Sequence, residues 1–159
     1  ALEPYTHGAA HEGGLRPGTE NTAFIVALGH ACFLASKAVE DASERMAELR
    51  DRLAKRLQEE IGDELTINGA LSPRLPNTLS VNFPHVSGGE LLGMTPEIAA
   101  STGSACHASM TKMSATLEAI RLTQDQARGT VRLSVGWYTS EEDIDRAAEL
   151  LIGAWESLK

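Results

Sequence analysis

Cysteine is scarce in this chain, with only Cys32 and Cys106 among 159 residues. Two thiols close at most one disulfide, and their different contexts argue for separate roles, so a disulfide framework is excluded. Basic residues are also in short supply: 14 Lys and Arg against 22 Asp and Glu give a net charge of −8. That surplus repels phosphate backbones and anionic lipid surfaces, so neither nucleic acid nor a membrane is an expected partner. Uninterrupted apolar runs are short of a membrane span, and the first residues, with Glu3, His7 and Glu12 among glycines, lack a signal-peptide pattern. No repeat or low-complexity segment is present. His7, His11 and Glu12 lack a further histidine or cysteine at ligand spacing, so no metal site is expected. The expectation is a cytoplasmic protein whose thiols stay reduced.

What remains is an ordinary apolar content of 42%, enough for one domain with a real core. The first twenty residues, rich in glycine and broken by Pro4 and Pro17, read as a loop. A helix is predicted from Glu20 to Leu34. A second, long amphipathic helix is predicted from Lys37 to Ile61, because Val39, Ala42, Met46, Leu49, Leu53, Leu57 and Ile61 recur every three or four residues. Gly62 should end it. On its polar face, Glu48 with Arg52 and Asp51 with Lys55 stand at i,i+4 spacing. Short elements follow: strands at Leu65–Asn68, Thr78–Phe83, Ile98–Ala100 and Thr130–Val135, and helices at Gly88–Met94 and Ser114–Leu122. Thr139 and Glu142 read as a capping box opening a last helix, apolar at Ile144, Ala148, Leu151, Trp155 and Leu158. The fold class is α/β: a mixed or antiparallel sheet of three or four strands covered by helices, preceded by a long amphipathic helix.

Three places could carry chemistry. Cys106 lies in Ser101-Thr102-Gly103-Ser104-Ala105-Cys106-His107-Ala108-Ser109, a run of small residues with little to pack. Its thiol is either incidental or an accessible nucleophile, with His107 placed to lower its pKa or shuttle its proton. Cys32, in Ala31-Cys32-Phe33-Leu34, reads as a core cysteine. Arg132 interrupts an otherwise apolar alternation and is either a surface residue or a guanidinium fork for a carboxylate. The turn Arg16-Pro17-Gly18-Thr19 enters a helix, and Thr19 there is either a plain N-cap or a phosphate contact.

Four blocks, in order, span nearly the whole chain: HEGGLRPGTENT (His11 to Thr22), RLPNTLSVNFP (Arg74 to Pro84), STGSACHAS (Ser101 to Ser109) and GTVRLSVGWYTSEEDIDRAAELL (Gly129 to Leu151). Together they resemble the cysteine desulfurase and selenocysteine lyase family, in the class V aminotransferase group of pyridoxal-phosphate enzymes. The resemblance implies that residues 1–36 are the end of a large cofactor domain and 37–159 a small C-terminal domain. It implies that Cys106 attacks the sulfur of a cofactor-bound cysteine, leaving a persulfide and alanine. It implies that Arg132 grips the substrate carboxylate and that Thr19 reaches the cofactor phosphate of a partner subunit in a homodimer. L-Cysteine or L-selenocysteine is the implied substrate, and the implied partner is a sulfur-acceptor protein such as an iron–sulfur scaffold.

Departures from the family are equally legible. Its members are more than twice this long, and their Schiff-base lysine, pyridine-pairing aspartate and ring-stacking histidine belong to the part that precedes Ala1. None of Lys37, Lys55, Lys112 and Lys159 has that lysine's context, so this chain alone is expected to be inactive. The opening at Ala1 rather than methionine fits a portion of a longer protein. Trp137 stands where an arginine is common, Arg121 where a glycine is usual, and the stretch before Ile98 is short. His107 resembles the lyases, whereas the eleven-residue spacing from Cys106 to Leu117 resembles the long-loop desulfurases.

Overall fold

The computed structural model describes residues 2–102 and 113–159. They divide into two compact units, one up to Glu40 and one from Asp41.

The first unit begins with irregular chain that includes a 3-10 turn at Glu12–Gly14, where backbone with positive φ is supplied mainly by glycine. His11 Nδ1 lies 2.8 Å from Glu20 Oε1. The helix α1 then runs over Thr22–Ile61, forty residues without the break predicted after Leu34. Ser36 continues it because its hydroxyl donates to the Phe33 carbonyl (2.8 Å), which satisfies the polar group inside the helix. The cap is Asn21 rather than Thr19: Asn21 Oδ1 accepts from Phe24 N at 3.1 Å. Contrary to the sequence expectation, Cys32 is exposed, as are the apolar Phe24, Ile25, Val26, Leu28, Phe33 and Leu34 around it. Short runs also understate this segment. An 18-residue window of α1 has mean hydropathy 1.6, long and apolar enough by length and composition to cross a membrane, and none of it is buried. Gly29 and His30 interrupt the run without ending it.

In the second unit, the rest of α1 buries Leu49, Leu53, Leu57 and Ile61 of the predicted stripe, together with Ala54, while Ala42 and Met46 are half-buried and Val39, in the first unit, is exposed, contrary to the expectation. Gly62 ends the helix with φ +86, its N–H donating to the Gln58 carbonyl. Three antiparallel strands follow in the order β1 (Thr66–Ile67), β2 (Thr78–Asn82) and β3 (Thr130–Ser134). Among the described residues between β2 and β3 are three short helices, α2 (Gly88–Gly93), α3 (Ala115–Ala119) and α4 (Gln124–Arg128). The last helix is α5 (Glu141–Leu158). Leu79, Val81, Phe83, Val131, Leu133 and Val135 form one core with the α1 stripe and with Ile144, Ala148, Leu151 and Trp155 of α5. Burial of these side chains is the main drive for folding of this unit.

Several local expectations need correction. Ile98–Ala100 is not a strand; its neighbour Ser101 makes a single bridge to Arg132. The capping box of α5 is Ser140 with Asp143, one residue later than predicted, because Thr139 Oγ1 is already used, accepting from Gly136 N within the preceding turn. The helix α4, opened by a Thr123–Gln126 capping box, was not foreseen. The expected i,i+4 pairs also give way. Arg52 instead reaches α5, bonding Asp145 through two nitrogens (3.0 and 2.7 Å) and Glu141 at 2.5 Å, and Arg56 adds a contact to Asp145 at 2.9 Å. A guanidinium gains more from a two-pronged carboxylate contact across helices than from one neighbour along its own. Asp51 is engaged by Arg50 (2.8 and 2.9 Å), and Lys55 turns to Glu59.

Candidate carboxylate site on the outer face of the sheet

Strand alternation sends Leu79 and Val81 of β2, and Val131 and Leu133 of β3, into the core. The same alternation collects Thr66, Asn68, Thr78, Ser80, Asn82, Thr130, Arg132 and Ser134 on the other face, every one of them polar. Arg132 is the one charged residue in this set and is exposed. It stands opposite Ser80 on β2 and opposite Ser101 on its other side. The Arg132 N–H donates to the Ser101 carbonyl (2.7 Å), and the Ser101 N–H donates to the Arg132 carbonyl (3.2 Å). Both backbone polar groups beneath the guanidinium are therefore tied to Ser101, with Ser80 facing them from β2.

A ladder of side-chain bonds runs beside it. Asn68 and Asn82 exchange amide bonds (2.9 and 2.8 Å), Asn82 Nδ2 donates to Thr66 Oγ1 (2.9 Å), and Thr130 Oγ1 donates to Asn82 Oδ1 (2.7 Å). Asn82 and Thr130 are 3% and 1% exposed, so the anchored end of this ladder is dry and fully paired. Asn68 Nδ2 also donates to Ser80 Oγ at 2.9 Å. The sequence reading passed over Ser80, Asn68 and Asn82. Their signal is the period-two alternation in Thr78-Leu79-Ser80-Val81-Asn82, which turns every second residue away from the core.

Thr19 lies exposed in the first unit, three residues before α1, after Gly18 with φ +102. An exposed hydroxyl ahead of a long helix suits an anionic phosphate group. Cys106 and His107 lie outside the described residues. Among the described lysines, Lys37 sits over Phe33, Lys55 pairs with Glu59 and Lys159 sits over Trp155. Taken each in its own unit, Thr19 has the chemistry to meet a phosphate and Arg132 that to meet a carboxylate, whereas these lysines are already engaged. Trp137 is exposed, and its carbonyl accepts from Arg45 Nη1 at 3.0 Å.

Comparison with known proteins gives the family and the fold. Residues 4–147 match the family described as aminotransferase class-V. The mitochondrial cysteine desulfurase of Arabidopsis thaliana is 36% identical over 158 residues, covering 99% of this chain and 35% of that protein. The cysteine desulfurase IscS of Colwellia psychrerythraea is 38% identical over 153 residues, covering 96% of this chain and 37% of its own length. A solved NifS-like protein superposes with TM-score 0.80 at 28% identity, covering 99% of this chain and 40% of that one. The chain spans little more than a third of these relatives. With the family match over residues 4–147 and relatives above 30% identity across nearly its whole length, this chain belongs to the class V aminotransferase family, and its relatives there are cysteine desulfurases.

Proposed function

We propose that this chain is the carboxylate-binding and sulfur-accepting portion of a pyridoxal-phosphate-dependent cysteine desulfurase. The observation that supports the reading most is the exposed Arg132 on a polar sheet face, its backbone tied to Ser101 by two hydrogen bonds and Ser80 opposite it on β2. Cys106 follows Ser101 by five residues in the sequence.

In this reading Arg132 takes the α-carboxylate of L-cysteine in a two-pronged contact and fixes the direction in which the substrate sulfur points. The Cys106 thiolate attacks that sulfur, forming an S–S bond as the substrate C–S bond breaks, and the carbon fragment takes up a proton to leave as alanine. His107 holds the proton given up by the Cys106 thiol. Thr19 donates its hydroxyl to the cofactor phosphate across the interface of a homodimer. Pyridoxal phosphate, when bound, supplies the electron sink that makes the carbon fragment a leaving group. The lysine that holds it belongs to the part of a longer protein that this chain does not span, and that part also covers the bare apolar stretch of α1. The persulfide then passes to an acceptor protein.

The test is to join this chain to a lysine-bearing desulfurase half and supply L-cysteine. Alanine release with a persulfide on Cys106 is expected, Cys106→Ala should abolish it, and Arg132→Ala should mainly raise KM. Alanine formation that persists in Cys106→Ala would refute the assignment. L-Selenocysteine in the same assay decides between desulfurase and lyase.

A further inference from the structure

We propose that Ser80 is a second contact for the carboxylate gripped by Arg132, oriented by the polar ladder beside it; this rests on the reading of Arg132 as the carboxylate grip. The geometry starts from the backbone. Because Arg132 spends both its N–H and its carbonyl on Ser101, neither points toward β2. Ser80 and Arg132 therefore form a non-hydrogen-bonded antiparallel pair, the kind in which facing side chains stand closest, with Cα atoms about 4.5 Å apart.

The hydroxyl of Ser80 is committed in one direction. Asn68 Nδ2 has only protons to offer, so Ser80 Oγ accepts from it, and the amide of Asn68 is itself held by its reciprocal pair with the buried Asn82. That leaves the Ser80 proton to be donated. Arg132 cannot receive it, since a guanidinium has five donors and no acceptor. Two adjacent groups thus present donors alone to the same region. A carboxylate, with two oxygens and about four lone-pair sites, takes the fork of Arg132 and the proton of Ser80 together, whereas an amine satisfies neither. Asn68 and Asn82 act through Ser80 and are positioning residues.

The experiment uses the chain itself, 15N-labelled, titrated with propionate and L-alanine against propylamine, with backbone amide shifts in β2 and β3 giving the affinity. Carboxylates should shift these amides and propylamine should not. Ser80→Ala and Ser80→Val, the latter hydroxyl-free yet suited to a strand, should weaken carboxylate binding about tenfold, the loss of one bond to a charged group. Ser80→Thr should restore it, Asn68→Ala should weaken it by a smaller factor, and Arg132→Gln should remove it. Wild-type affinity in both Ser80→Ala and Ser80→Val, with binding lost in Arg132→Gln, would overturn the role of Ser80 and leave that of Arg132 standing. Undiminished binding in Arg132→Gln, or no carboxylate-dependent shift in the wild type, would overturn the reading of Arg132 and with it this inference.

Discussion

Replacing Gly129 with alanine should be among the most damaging single-methyl additions in this chain. Gly129 has φ −83, an ordinary value for any residue, so the demand at this position is space and not backbone freedom. A Cβ built there would lie 2.0 Å from the carbonyl oxygen of Phe83 and 3.0 Å from its carbonyl carbon. Ordinary contact begins near 3.4 Å, so the two backbones must separate by about 1.4 Å. Phe83 cannot simply yield, because it is 1% exposed and the next carbonyl, that of Pro84, accepts from Trp155 Nε1 at 3.0 Å. Separation breaks the bond from Phe83 N to the Gly129 carbonyl, costing about 1 kcal/mol. Overpacking around Phe83 adds about 1–3 kcal/mol, for a total of about 2–4 kcal/mol. In a chain of this size that corresponds to a fall in Tm of about 10 °C. Thermal melts followed by far-ultraviolet circular dichroism and tryptophan fluorescence measure it. Gly153→Ala in α5, with nothing within 4 Å, is the control and should be neutral or stabilising by up to about 1 kcal/mol. A Gly129→Ala melt within about 0.5 kcal/mol of wild type would refute the steric argument.

Arg121→Gly should hold stability or raise it by up to about 1 kcal/mol, since Arg121 sits at φ +62 where a side chain is strained, and urea midpoints would show it; a clear loss would mean the arginine makes compensating contacts. Asn82→Ala should cost about 2–4 kcal/mol in the same assay by stranding the polar groups of Thr66, Asn68 and Thr130. Asp145, whose carboxyl is lowered to about 2 by hydrogen bonds from Arg52 and then Arg56, contributes stability that is whole above its ordinary 3.8 and is lost as pH falls toward 2. Unfolding midpoints from pH 5 to 2 should therefore drop more steeply in wild type than in Asp145→Asn, and parallel curves would refute the role of this network. Cys32, exposed in this chain, should be alkylated under native conditions and become protected when a lysine-bearing desulfurase segment is joined ahead of it.

Periodicity alone determined most of the core, though it also named Val39, which is exposed. The three-to-four spacing of Leu49, Leu53, Leu57 and Ile61, and the alternation of Val131, Leu133 and Val135, name the residues that turn inward, because burial of apolar surface is local in its pattern even when its partners are distant. Motif order likewise determined the family, since those blocks are stretches of adjacent residues. What neighbours in sequence could not decide was which of several equivalent bonds each polar group would make. Thr139 and Ser140 both precede a carboxylate three residues on, and the turn at Gly136 settled which one caps α5. Arg52 had Glu48 one turn away on its own helix, yet the two carboxylates of α5 offered the better geometry. Cys32 looked like a core residue because its neighbours are apolar, but an apolar segment is buried only when something covers it. Arg132 was legible as an anomaly in its strand. That it stands between Ser80 and Ser101, on a sheet face lined by polar side chains, depends on pairing among three segments far apart in the chain, and only the tertiary structure decided it.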